Sequence, residues 1–268
     1  QAGAIVVANT VGHPDGQSAN LGSELVAQWP QRVVTSLREL RAALCEAPSD
    51  RFTFLELRGK VVLQEPLTLD KPVILSGEPL TGDSGSTESR GELHGAPGAS
   101  VAVVGKGAEN CVLWRLNLML SSEGSGAGKP TSCLEVQTGC PVLVDCDLSA
   151  KSSKVSSDVA THCLRAAGSD SKVLLIGCCL SNAEGNGLLL VDGASASMVR
   201  CQVRGNRQGG AFLADSASLL TESSDISRNG HFGVVAGQRS GQILVGRTDL
   251  TGNDAGSLWQ AGGEPATS

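Results

Sequence analysis

GLLLVDGASASMVRCQVRGNRQG (187–209), GAFLADSASLLTESSDISRNGHF (210–232) and GVVAGQRSGQILVGRTDLTGNDA (233–255) are successive copies of one pattern, and GSLWQAGG opens another at 256. Gly187, Gly210, Gly233 and Gly256 stand 23 residues apart. Each complete unit closes on an alternating pair and an Asn: Cys201/Val203/Asn206, Ser224/Ile226/Asn229 and Thr248/Leu250/Asn253. A unit this short cannot bury its own inner face, so the copies must stack. Each holds three apolar runs too short for a helix, some alternating in the strand manner, with Gly, Asn, Asp and Ser between them. The spacing of a leucine-rich repeat is absent. The pattern predicts an all-β, single-stranded right-handed parallel β-helix, a solenoid whose coils pair at about 4.8 Å. Asn206, Asn229 and Asn253 should form a ladder of side-chain amides along one corner.

The phase continues upstream with longer loops. SCLEVQTGCPVLVDCDLSA (132–150) and HCLRAAGSDSKVLLIGCCLSN (162–182) place Cys146/Leu148 and Cys178/Leu180 at the equivalent positions. VAVVGKGAENCVLWRLNLML (101–120) places Leu116/Leu118 there. The small, polar inserts SSEGSGAGKP (121–130) and AKSSKVSSDVA (150–160) should bulge from corners.

The first third lacks the period. AIVVANTV (4–11) could pair as an edge strand, within an N-terminal extension over 1–32. VVTSLRELRAALCEA reads as a helix over about 35–46. Val33, Leu37, Leu40 and Leu44 share a face, Thr35 or Ser36 can cap it, and Pro48 follows its end. An open β-helix end exposes unpaired strands and core, so this helix is placed to cap the domain, expected over 33–260. FTFLEL, KVVLQ, PLTL and KPVILSGE read as strands, TGDSGSTESRG (81–91) as a loop and 261–268 as a tail.

Composition agrees. The 268 residues include 34 Gly, 4 Phe, 3 Trp and no Tyr, which suits a narrow interior of small residues. A net charge of −6 argues against nucleic-acid binding, and no apolar stretch is long enough for a membrane span. Of nine Cys, most sit inside strand-like runs and none in a C-x-x-C or zinc-ligand arrangement. They read as buried thiols filling core positions, which favours a reducing, intracellular or organellar compartment.

The segments FLELRGKVVLQEPLTLDKPVILSGE (54–78), GASASMVRCQVRGNRQGG (193–210) and DSASLLTESSDISRNGHFG (215–233) resemble the CASH, or pectate-lyase-like, repeats over roughly 33–260. Within that family they most resemble the intracellular, non-catalytic branch found in some F-box and Shc-SH2-binding-type proteins. The resemblance implies the fold. For function it implies either a recognition scaffold or a polysaccharide lyase or hydrolase, so function must come from a site. No F-box-like helical segment precedes the repeats, so a ubiquitin-ligase adaptor role could not reside in this chain alone.

Lyases of this fold need outward acids holding Ca²⁺ beside a basic residue. One outward column reads Arg115, Asp145, Gly177, Arg200, Ser223, Arg247, and its neighbour reads Asn117, Asp147, Cys179, Gln202, Asp225, Asp249. Asp225 and Asp249 should lie on adjacent coils with Arg247 near, the best carboxylate pair available. A solvated face with ion pairs such as Arg115–Asp145 accounts for the same residues. The four His, 13, 94, 162 and 231, read as loop or corner residues without carboxylate partners. Gly-x-Ser-x-Gly and Walker signatures are missing, and no catalytic residue, metal site or cofactor is expected.

The other strand of the repeat differs. With Leu188/Leu190, Ala211/Leu213 and Val234/Ala236 inward, Leu189, Phe212, Val235 and, in the last coil, Leu258 should face out. Upstream the column is polar, with Glu135 and Arg165. Such a stripe marks either a contact site or a surface covered by the chain itself. The expected function is a non-catalytic β-helix scaffold making protein–protein contacts in a larger assembly. The alternative is a polysaccharide-binding or polysaccharide-degrading protein, against which the scarcity of aromatics weighs.

Overall fold

The short apolar runs become strands because three of them, joined by tight corners, bring each residue above its counterpart one coil earlier. The computed structural model describes residues 31–78, 90–96, 98–108, 110–120, 130–150 and 160–261. The expected strand AIVVANTV, His13, most of the loop 81–91, nearly all of both inserts and the tail from 262 lie outside them. Three parallel sheets of nine, eight and six strands form the walls. The nine-stranded sheet runs from Gln31–Val34 to Ile243–Gly246, the eight-stranded sheet from Leu67–Leu69 to Gly256–Gln260, and the six-stranded sheet from Lys60–Val62 to Gln202–Arg204. The first strand therefore starts inside the expected extension.

The one described helix, Leu37–Glu46, lies over the first coil. Ser36 is its N-cap, with Oγ accepting from the Glu39 N–H at 3.3 Å, and Glu39 reaches back to the Thr35 N–H at 2.8 Å. Leu40 and Ala43 are buried against Val34, Leu55 and Leu57, so the helix closes that end of the core. Lys71 Nζ donates to the carbonyls of Leu44 and Cys45, satisfying its C-terminus.

Two ladders hold the corners. Asn206 Nδ2 donates to Asn229 Oδ1 at 3.0 Å, and Asn229 Nδ2 to Asn253 Oδ1 at 2.9 Å. The same oxygens accept backbone N–H groups of the preceding coil, from Asn206 at 3.2 Å and Asn229 at 3.0 Å. This ladder explains the glycine repeat. A Cβ on Gly187 would sit 2.7 Å from Asn206 Nδ2 and 2.9 Å from the Gly210 carbonyl, and one on Gly233 2.7 Å from Asn253 Nδ2. What excludes a side chain there is the close approach of the ladder and the next coil. Gly256 is not in this column. The last turn of the period has one residue more, and Ser257 takes the place opposite Gly233.

The second ladder accounts for three of the nine cysteines. Cys146, Cys178, Cys201, Ser224 and Thr248 stack along the corner between the nine- and six-stranded sheets. Each donates to the carbonyl two residues earlier: Val144, Ile176, Val199, Glu222 and Gly246, at 3.0 to 3.5 Å. The residues before them, Asp145, Gly177, Arg200, Ser223 and Arg247, and Arg115 before the equivalent Leu116, all adopt φ between 41° and 64°. The chain thus turns sharply, and a small donor fits behind the turn. A thiol serves because it is compact, mostly apolar and still a weak donor. All nine cysteines are free.

Candidate functional site

In the eight-stranded sheet, Glu135, Arg165, Leu189, Phe212, Val235 and Trp259 stand in register on successive coils. Their inward neighbours Leu188, Leu190, Ala211, Leu213, Val234 and Ala236 are fully buried, so the column between them projects outward. Arg165 pairs with Glu135 at 3.0 Å, ending the apolar part of the column upstream. Leu189 and Phe212 are half-buried, and Val235 is only 8% exposed.

Leu258 does not belong to this column. It is in register with Val234 and packs against the core, and Trp259 stands where Leu258 was expected. The cause is a single residue. Leu213 pairs with Ala236 and Leu219 with Ile243, so the turn 237–242 is one residue longer than its counterpart 214–218. In a strand, one residue of slip exchanges inward for outward.

Around the end of the stripe lies a cleft of about 410 Å³, lined by Asn186, Arg207, Gln208, Gly209, Phe212, His231, Phe232, Val235 and Trp259. Three of the seven Phe and Trp residues of the chain thus meet at one place. His231 meets Phe232 edge-on, with ring centroids 4.8 Å apart. Asn186 Oδ1 accepts from the Gly209 N–H at 2.9 Å, and its Nδ2 donates to Gln208 Oε1 at 3.3 Å. Arg207 is tied to Glu184 at 2.9 Å. The cleft offers flat apolar walls and a rim of amides, imidazole and guanidinium, with no carboxylate among its lining residues. The alternation missed Phe232, which opens the strand Phe232–Ala236 two residues before the inward Val234, and Trp259, which the longer turn displaced.

The acidic column of the six-stranded sheet has the expected register, from Asn117 through Asp147, Cys179 and Gln202 to Asp225 and Asp249. Asp225 and Asp249 are bridge partners on adjacent coils. Asp249 Oδ1 accepts the Thr251 N–H at 2.9 Å, which holds this carboxyl below its ordinary range, and Asp225 Oδ1 is buried without a hydrogen-bond partner. Arg247 bonds Glu222 at 3.1 Å. Among the described residues no group of three or more His, Cys, Asp or Glu could hold a metal ion. Farther up, Arg115 lies 3.7 Å from Asp145 and 2.8 Å from Glu78, and Arg90 joins Glu78 to Asp147.

Two histidines differ from expectation. His94 lies in the strand Glu92–Gly95, with Nε2 2.8 Å from Glu92 Oε2, because residues two apart share a strand face. That contact lowers the Glu92 carboxyl. His162 lies in the strand Thr161–Ala167, where Nδ1 accepts the Asn186 N–H at 3.0 Å and burial brings its pKa down to about 4.

A second apolar cluster also went unread. Phe54, Ile74, Val112, Val142 and Val144 on the outer face of the nine-stranded sheet are buried, with Trp114 and Leu174 packed against them. Runs such as Val112–Trp114 and Val142–Val144 are apolar on both faces and carry no alternation to read.

Residues 143–258 match the family described as the right handed beta helix region, and this agrees with the parallel three-walled coil to make the fold a right-handed parallel β-helix. No curated protein and no solved structure matches the chain. No helix among the described residues is long and apolar enough to cross a membrane.

Proposed function

We propose that this right-handed parallel β-helix is a non-catalytic recognition module, docking a protein partner of a larger assembly on the C-terminal half of its eight-stranded sheet. The observation that carries it is the outward run Leu189, Phe212, Val235 and Trp259 beside an aromatic cleft whose lining residues include no carboxylate. Apolar surface ringed by amides and an ion-paired Arg suits a partner that buries aromatic or aliphatic anchors. On the ground that most of its cysteines fill the core, we place the module in a reducing, intracellular or organellar compartment.

The test introduces Leu189→Asp and Phe212→Asp separately, with Val62→Asp, exposed on the six-stranded sheet, as control. Partners that co-purify with the native protein should be lost with the first two and kept with the third, at unchanged circular dichroism. Normal co-purification with both stripe variants would overturn the assignment.

The clustering of Phe212, Phe232 and Trp259 favours one second reading, a polysaccharide-binding or polysaccharide-degrading protein whose sugar rings stack in the cleft. It requires saturable quenching of tryptophan fluorescence by oligosaccharides, abolished by Trp259→Ala. The lyase version requires Ca²⁺-dependent cleavage of an acidic polysaccharide, lost on Asp225→Ala.

A further inference from the structure

The two ends of the solenoid are finished differently. At the first coil the inward residues Leu55 and Leu57 lie beneath the helix Leu37–Glu46 and are fully buried. At the last coil Val245, in register with the buried inward Thr221, is 41% exposed. Ile243, Leu250 and Leu258 are only partly covered. Outward on the same wall, Leu220 and Leu244 are 43% and 47% exposed. Three of the five large hydrophobic side chains exposed among the described residues therefore gather on two adjacent strands. Among the described residues Ile243–Gly246 and Gly256–Gln260 are also the last strands of their sheets, each paired on one side. An apolar end bordered by such edges is a template for another chain.

The charges on that coil indicate which chain. Its exposed rim carries Arg239, Arg247, Asp249 and Asp254, two of each sign, in a protein of net charge −6. A uniformly acidic rim would repel a second copy, and this one does not. Along the edge the order Arg247, Thr248, Asp249 is its own complement when reversed. Two copies meeting antiparallel about a two-fold axis near Thr248 would set Arg247 of each opposite Asp249 of the other, whereas parallel apposition would set like charges together.

We infer that the last coil is a self-association surface on which a second copy of this chain docks end to end about a two-fold axis. The contact is isologous and closes at two copies. Apolar side chains of the open end cover one another, and Arg247, which keeps Glu222 of its own chain at 3.1 Å, adds Asp249 of the other copy to set the register. The surface meets the outward stripe only at Trp259, which belongs to both the last coil and the aromatic cleft.

The test is the mass of the protein in solution by sedimentation equilibrium across a dilution series. Twice 27.4 kDa is expected at the concentrated end, dissociating on dilution. Leu244→Asp should give the single-chain mass throughout. Arg247→Glu and Asp249→Arg should each weaken association by about tenfold. The double variant Arg247→Glu/Asp249→Arg should restore it, which a merely unfolded end could not do. A single-chain mass for the unaltered protein at all concentrations would overturn the inference. So would growth beyond two copies, or a dimer indifferent to the single reversals or not recovered by the double one.

Discussion

Asn229 Nδ2 donates to Asn253 Oδ1 at 2.9 Å while the Asn229 backbone N–H donates to the same oxygen at 3.0 Å. One side chain thus satisfies both the amide above it and the turn that carries that amide. Asn229 Nδ2 also reaches the Val203 carbonyl at 3.0 Å, and its Oδ1 accepts from Asn206. Asn229→Ala would strand several buried groups at once, each costing about 1–3 kcal/mol. We expect a loss of about 3 kcal/mol or more in urea unfolding. Asn253→Ala, on the last coil where water can replace some bonds, should cost less.

Backbone geometry separates two kinds of corner. Gly210→Ala should destabilise by about 3 kcal/mol or more, since its Cβ would collide with Ile226 Cγ2 and the Gly233 carbonyl. At the other corner Ser223 holds φ at 51°, and Ser223→Gly should raise stability by about 0.5–1 kcal/mol by removing that strain. Thermal melts of the two variants should shift in opposite directions.

Thiol reactivity should divide the cysteines. Cys45 and Cys140 are exposed and should react quickly with a disulfide reagent, and Cys179 slowly. The six buried thiols should react only on unfolding. Burial pushes Cys111 and Cys133 up to about 12 from an ordinary 9. The unfolded chain therefore ionises first as pH rises past 9, and stability should fall across pH 9–12.

His162 should make the fold acid-sensitive. Unfolded, the imidazole takes a proton near 6.5, and folded only near 4. Its contribution is complete above pH 6.5 and disappears as pH falls through 4, with a span of about 3 kcal/mol. His162→Gln keeps an acceptor for the Asn186 N–H and should flatten unfolding free energy between pH 4 and 6.5.

The repeat was legible because stacking forces the same chemistry onto the same corner in every coil. The Asn column, the Cys/Ser/Thr column and the inward Leu and Val positions are visible as recurring letters, and the helix start was readable to within Thr35 or Ser36, of which Ser36 is the cap. The Glu92–His94 pair was within reach too, since residues two apart share a strand face. The double-sided burial of Val112–Trp114 was not, because a continuous apolar run has the same appearance whichever face is covered.

From its letters alone come a parallel solenoid, its inward columns as far as Leu250 and the place of its ladders, all consequences of a short-range period. Only the tertiary structure decided where the aromatics meet and which residue follows Val235 in the outward column. The extra residue in turn 237–242 makes the last period 24 residues long, so counting 23 onward from Val235 lands on Leu258 while the outward place belongs to Trp259. Phe232 joins Phe212 and Trp259 only because residues far apart along the chain stand a few ångströms apart when coils pair.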